Sequence, residues 1–194
     1  MTGPEFTARL ERLAAGAYPA VRATVMRAGL AAERDAKRNA TTAPRVRTGR
    51  LRSSIASSVE AAGESLYLVL RAGGVGTDKD VKYARLQELG GTVRPVKGRY
   101  LAIPVGPAKT AAGVSRYASP RDVPGLVFVQ SLKGQPLLVQ LTGKGGKAKV
   151  TVWYVLRRSV TVRARPYLKP AIDAAAAALP GQISEALGRL AGGA

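Results

Sequence analysis

The chain has 194 residues, with 31 Lys and Arg against 12 Asp and Glu, a formal net charge of +19, and neither Cys nor His. Those two absences exclude thiol nucleophiles, imidazole bases, disulfide frameworks and Cys/His zinc sites, leaving carboxylate, Lys, Tyr or Ser/Thr chemistry. The length fits one domain burying about 70% of its unfolded surface, the 46% hydrophobic content fits a folded chain, and no run approaches the ~18 apolar residues of a membrane span.

Met1 to Phe6 has no basic-then-apolar leader, which predicts a soluble, intracellularly made protein. Pro4 suits a first helical turn. Phe6, Leu10, Leu13 and Ala17, then Val21, Val25, Ala28 and Ala32, recur at helical spacing, predicting one kinked helix or two stacked ones over residues 4 to 39. Its narrow, Ala-rich apolar face suits close packing against a sheet or a neighbouring subunit. Residues 41 to 50, TTAPRVRTGR, read as a loop, and Thr48 as the N-cap of a short helix that carries Leu51 and Ile55 and ends near Ser57.

Alternation of Leu66, Leu68 and Leu70 with Tyr67, Val69 and Arg71 predicts a strand, closed by the turn Gly73 to Asp78. A short helix from Val81 to Leu89, stopped by Gly90 and Gly91, and a strand from Tyr100 to Val105 follow. Residues 106 to 124 are rich in Gly, Ala, Ser and Pro without a period and read as an exposed, mobile insertion. Leu126 to Leu132, Leu137 to Thr142 and Ala148 to Leu156 then read as an antiparallel meander, which Ser159 to Arg163 extends or follows. Pro166 and Pro170 introduce a closing helix with Ile172, Ala176 and Leu179, interrupted at Pro180 and Gly181 and resumed to about residue 192. The expected fold class is α+β: a single domain, with a helical arm over residues 1–40, the insertion 106–124 and a C-terminal helix over 166–192, the antiparallel sheet packing on the long helices.

Candidate chemistry is sparse. Gly143 to Lys147 fails as a phosphate loop, because Leu141 stands five residues before Gly146 and Ala148 follows Lys147; a hairpin turn with solvated lysines is the simpler reading. Gly73-Gly74-Val75-Gly76 precedes no long helix and supports no dinucleotide site. Asp78 and Asp80, beside Lys79 and Lys82, are the only close acid pair outside the first helix and read as a solvated turn, not a hydrolytic or divalent-metal pair. No enzymatic activity, cofactor or metal is expected.

Charge is more informative. Divided at residues 56 and 126, the chain carries +7, +4 and +8. Ala36 to Val59 holds Lys37, Arg38, Arg45, Arg47, Arg50 and Arg52 with no acid, and nine cations, among them Arg157, Arg158, Arg163 and Arg165, stand between Asp122 and Asp173. On strands, Arg157, Arg163 and Arg165 would project outward while Val160 and Val162 face the core. Such a surface attracts nucleic-acid phosphates or an acidic protein face. Aromatics make up 5% and no recognition helix stands among the clusters, so any DNA contact would be electrostatic and not sequence-specific.

Three segments resemble the neck and tail-completion proteins of tailed bacteriophages, a group spanning lambda-like tail components and Mu-like virion morphogenesis proteins. Arg47-Thr48-Gly49-Arg50-Leu51-Arg52-Ser53-Ser54-Ile55 is similar to that family's T-G-x-L-x-x-S-I. Tyr83-Ala84-Arg85-Leu86-Gln87-Glu88-Leu89-Gly90-Gly91, followed by Thr92 to Pro95 and Tyr100 to Pro104, resembles its Y-A-x-x-x-E/H-x-G-G segment. Val160 to Ala171, with Arg165-Pro166-Tyr167-Leu168-Lys169-Pro170, resembles its closing R-P-F/Y-L-x-P-A. Residues 106 to 125 and the sheet after them match no part of the pattern.

The resemblance implies structural roles for Thr48, Gly49, Leu51, Ile55, Tyr83, Ala84, Glu88, Gly90, Pro166, Tyr167, Leu168 and Pro170. Physically, Thr48 can cap, Gly49 permits close approach, Gly90 can end a helix and the prolines fix a strand-to-helix turn. It further implies a virion protein of the head–tail junction or tail top, acting as connector, tail-completion or tail-terminator subunit. Such a subunit forms a six-fold or twelve-fold homo-oligomeric ring, meets other neck, connector and tail-tube proteins, and borders the DNA without a membrane partner. Arg45, Arg47, Arg50, Arg52, Arg163 and Arg165 are the candidate contacts to acidic partners or DNA. The other reading is a free-standing, non-specific nucleic-acid-binding protein using the same patches.

Overall fold

A computed structural model describes residues 3–42, 49–74, 81–143 and 149–192, and contacts divide the chain into two compact units, Met1–Leu89 with Ala164–Ala194, and Gly90–Arg163. The class is α+β, with a long helix near each end of the chain and antiparallel sheets between them.

In the first unit, α1 spans Gly3–Thr42 and α4 spans Lys169–Gly192. At 1.5 Å per residue α1 is about 60 Å long. Both helices run through their internal prolines, Pro19 and Pro180, where the sequence suggests a kink or a break. Pro19 and Pro180 are exposed, as are Ala15 and Ala176 four residues earlier, so the carbonyls that lose their helical donor face water.

Small residues at every fourth position of α1 set the helix pairing: Gly16, Ala20, Thr24, Ala28, Ala32, Ala36 and Ala40, the last five buried. One such row lets a second helix approach closely. The pairing is antiparallel. A Cβ on Gly16 would come within 2.9 Å of Leu190 near the end of α4, whereas Asn39 Nδ2 donates to Tyr167 O just before its start, at 3.3 Å.

The neighbouring row of α1 carries a hairpin of β1 (Ala56–Ala62) and β2 (Ser65–Arg71), in register from Ala56 opposite Arg71 to Ala62 opposite Ser65. Gly29 admits Leu68, whose Cδ1 lies 2.7 Å from where a Cβ would stand. Glu33 Oε2 accepts from both Ser57 N and Ser57 Oγ at 2.8 Å, and its other oxygen from Lys37 Nζ at 2.6 Å. The Lys37 hydrogen bond, then those from Ser57, hold this carboxyl below its ordinary pKa against an opposing desolvation. The Ala-rich helix therefore packs on a second helix and a two-stranded hairpin, and the meander lies in the other unit.

In the second unit, β4 (Leu101–Pro104), β7 (Lys149–Arg157), β6 (Pro136–Thr142) and β5 (Leu126–Gln130) form an antiparallel sheet in that order, the last three being the expected meander. Leu138 pairs with Tyr154 but Val139 pairs with Val152, so Trp153 is an extra residue in β7, a bulge whose carbonyl accepts from Val105 N at 2.8 Å. A separate pair joins β3 (Gly91–Val93) to β8 (Val160–Val162). Residues 106–124 contain two 3-10 turns and bury Ala108 and Val123 with Tyr154, beside Tyr117 and Trp153, whose rings lie 5.9 Å apart. Ser119 and Asp122 close a reciprocal capping box around the second of these turns.

Candidate functional site

Leu51, Ile55, Ala84, Glu88 and Leu168, drawn from all three family-like segments, meet around Tyr167. Short α2 (Arg50–Ser53) contributes Leu51 and, just beyond it, Ile55; α3 (Ala84–Leu89) contributes Ala84; the segment entering α4 contributes Tyr167, Leu168 and Ala171. All join one cluster with Ala36 and Ala40 of α1 and with Val81. Segments separated by more than a hundred residues thus share a single core of the first unit.

The join is polar as well as apolar. Glu88 lies on the last turn of α3 and its carboxylate accepts three consecutive backbone N–H groups, from Tyr167 at 2.7 Å, Leu168 at 3.0 Å and Lys169 at 2.9 Å. These donors open α4, where helical N–H groups have no internal partner and an anion is favoured by the helix dipole. Glu88 therefore caps α4 from another helix. Arg165 N donates to Gln87 O at 2.8 Å, and the Tyr167 hydroxyl to Ala84 O at 3.3 Å. Full burial, with lesser contributions from the Glu88 carboxylate and Tyr83, pushes the Tyr167 phenol up to about 12. Pro166 and Pro170 flank this clasp on the solvent side, Tyr83 is exposed, and Gly90 ends α3 with φ 69°.

Thr48, Arg45 and Arg47 lie outside the described residues, as do Asp78 and Asp80. The N-cap of α2 is Gly49, not Thr48, and makes no side-chain cap bond. It takes φ 71° and ψ −7°, with open space where a Cβ would sit, so Gly49 supplies left-handed backbone and not the close approach expected of it.

Four of the candidate contact arginines, Arg50, Arg52, Arg163 and Arg165, are among the described residues. Arg50 and Arg52 are exposed on α2, and Arg52 borders a cleft of about 470 Å³ with Leu30, Glu33, Arg34, Lys37, Arg38, Thr41 and Thr42. Arg163 and Arg165 are exposed but follow β8 instead of continuing it, Arg163 in the second unit and Arg165 in the first. Val160 and Val162 are half-buried beside them, as the alternation predicts. Sequence reasoning missed Arg34 as a member of the cleft, although its place four residues before Arg38 was the available signal.

Among the described residues no three His, Cys, Asp or Glu side chains cluster to hold a metal ion, and no helix is long and apolar enough to cross a membrane. Neither the curated proteins nor the solved structures yield a match to this chain. Residues 4–90 match the model of the HK97-gp10-like family, described as "Bacteriophage HK97-gp10, putative tail-component". That span holds α1, α2, the hairpin and Glu88, while the closing segment around Tyr167 lies beyond it. Over residues 4–90 the chain is thus similar to a bacteriophage tail component, in line with the tailed-phage neck and tail family that its three sequence segments resemble.

Proposed function

We propose that this chain is a non-enzymatic structural subunit of the phage virion, acting at the head–tail junction or tail top, where it assembles as a ring that joins or completes the tail and borders the DNA path. The observation that carries the reading is the clasp at Glu88. Leu51, Ile55, Ala84, Tyr167 and Leu168 of the three phage-like segments share one interior core and Glu88 supplies one helix cap, so these residues maintain a scaffold and leave its outer faces for assembly.

Charge supports the setting. A ring of six copies would carry on the order of +110, which repels itself unless acidic neighbours or DNA neutralise it. Assembly should therefore depend on an oppositely charged partner among the neck, connector or tail-tube proteins. The test is sedimentation of the purified chain across a salt series, with and without duplex DNA. The proposal expects a monomer or small species at low salt, with weak DNA binding. A stable isolated ring at low salt would contradict it, and tight binding of DNA alone with a steep log–log salt slope would favour the free-standing nucleic-acid binder.

A further inference from the structure

The outward side of α1 is chemically unlike an ordinary solvated helix face. Met26 and Leu30, 46% and 62% exposed, stand one turn apart on α1 and lead into the exposed Arg34 and Arg38 on the next two turns. An every-fourth row turns only about 40° around the helix per step, so these four side chains share one side of α1 and extend about 18 Å along it. At its C-terminal end this side opens into the 470 Å³ cleft, where Leu30 stands beside Arg34, Lys37, Arg38 and Arg52 and the hydroxyl-bearing Thr41 and Thr42. Among the described residues Glu33 is the one carboxylate lining this cleft, and Lys37 and Ser57 already hold it. Asp35 sits between Arg34 and Arg38 at 3.8 and 3.4 Å, leaving both arginines about 70% exposed.

We infer that this face docks an amphipathic helix of a partner protein, apolar where it meets Met26 and Leu30 and acidic at the end that meets Arg34, Lys37, Arg38 and Arg52. Three chemistries compete for such a surface, and two fit poorly. A second copy of this chain would bring Arg34, Lys37 and Arg38 against the same cations, with Asp35 already held between its own arginines. Duplex DNA would satisfy the cationic end but offers a charged backbone, not apolar surface, to Met26 and Leu30. An acidic amphipathic helix satisfies both halves, its apolar side packing on Met26 and Leu30 as helix-in-groove partners do. The inference deepens the proposed function by naming the partner's chemistry, and its test uses purified components, so it can fail while the virion role stands.

The probe is a synthetic helical peptide of about 20 residues with leucines at heptad spacing and glutamates grouped at one end, made with the acids at either terminus and titrated onto the full-length protein. Saturable binding is expected for one orientation. It should weaken at least about tenfold when Gln replaces Glu or Ser replaces Leu in the peptide, and about as much for the protein variants Arg34→Glu/Arg38→Glu and Met26→Ser/Leu30→Ser. These side chains are exposed, so circular dichroism should show the variants as helical as the parent. Arg157→Glu/Arg158→Glu, which changes net charge equally on the second unit, should leave binding unchanged. Equal weakening by that control, no saturable binding by either peptide, a 20-bp duplex outcompeting the peptide, or loss of self-association in Met26→Ser/Leu30→Ser would each overturn the inference.

Discussion

Replacing Glu88 by Ala tests the clasp directly. The substitution removes an anion that accepts from Tyr167, Leu168 and Lys169 and leaves three N–H groups at the start of α4 without their acceptor. Hydrogen bonds to a charged group contribute about 1.5–3 kcal/mol each, but Glu88 is half-buried and the Lys169 N–H lies at the exposed side, so water recovers part of the loss. The favourable placement at a helix N-terminus contributes a further 0.3–1 kcal/mol or so. The net expectation is a destabilisation of about 2–4 kcal/mol, with Glu88→Gln costing roughly half because its amide oxygen still accepts. Urea unfolding followed by circular dichroism at 222 nm reads mainly α1 and α4, and at a slope of about 2 kcal/mol/M the Ala midpoint should fall by about 1–2 M. A loss below about 0.5 kcal/mol for Glu88→Ala, within the range of an ordinary surface change, would refute the role of Glu88 as the cap of α4.

Other perturbations probe the remaining contacts. Ala36→Leu forces three extra carbons into a site with no exposed surface, and should cost about 1–3 kcal/mol or more in the same unfolding assay. Tyr167→Phe should cost about 1 kcal/mol at neutral pH through the lost bond to Ala84 O. Because the folded phenol is raised to about 12 from 10.0, the unfolded chain ionises first, and the parent should lose stability as pH rises from 10 through about 12. Tyr167→Phe should lack that component in a pH series of urea midpoints. Glu33 has the opposite sign: its folded pKa lies below the ordinary 4.5, so its contribution is present above that value and is lost as pH falls through the lowered pKa. Glu33→Gln should flatten the acid limb of the stability profile, and an unchanged limb would remove Glu33 as an anchor of the hairpin.

Much of this architecture was legible because apolar periodicity is strong in α1, in β2 and in the three meander strands. The continuity of α1 and α4 was not, because a proline's local cost does not reveal that its orphaned carbonyl faces water. Strand β1, Ala-Ser-Ser-Val-Glu-Ala-Ala, has almost no β-forming residues and is a strand through pairing with β2 and the Glu33 bonds to Ser57. Gly91–Val93 became a strand through β8, a partner nearly seventy residues away. Residues 106–124 lack a period because 3-10 turns and a capping box, not a repeating face, bury Ala108 and Val123.

The phage-like residues were legible as a set but not as a mechanism. Nothing in the spacing of Glu88 and Tyr167 indicates that a carboxylate on one helix caps another eighty residues later. The basic cleft was obscured for a related reason. Counting acid-free runs stops at Asp35 and so omits Arg34, although Asp35 is the residue that sits between Arg34 and Arg38.

The central claim, that this chain joins or completes a phage tail without catalysing a reaction, is tested most directly by electron microscopy of particles made without it, followed by addition of the purified chain. The account predicts DNA-filled heads and tails that fail to join or end abnormally, with infectivity restored by the added protein. Normal infectious particles formed in its absence, or heads that never fill with DNA, would contradict it.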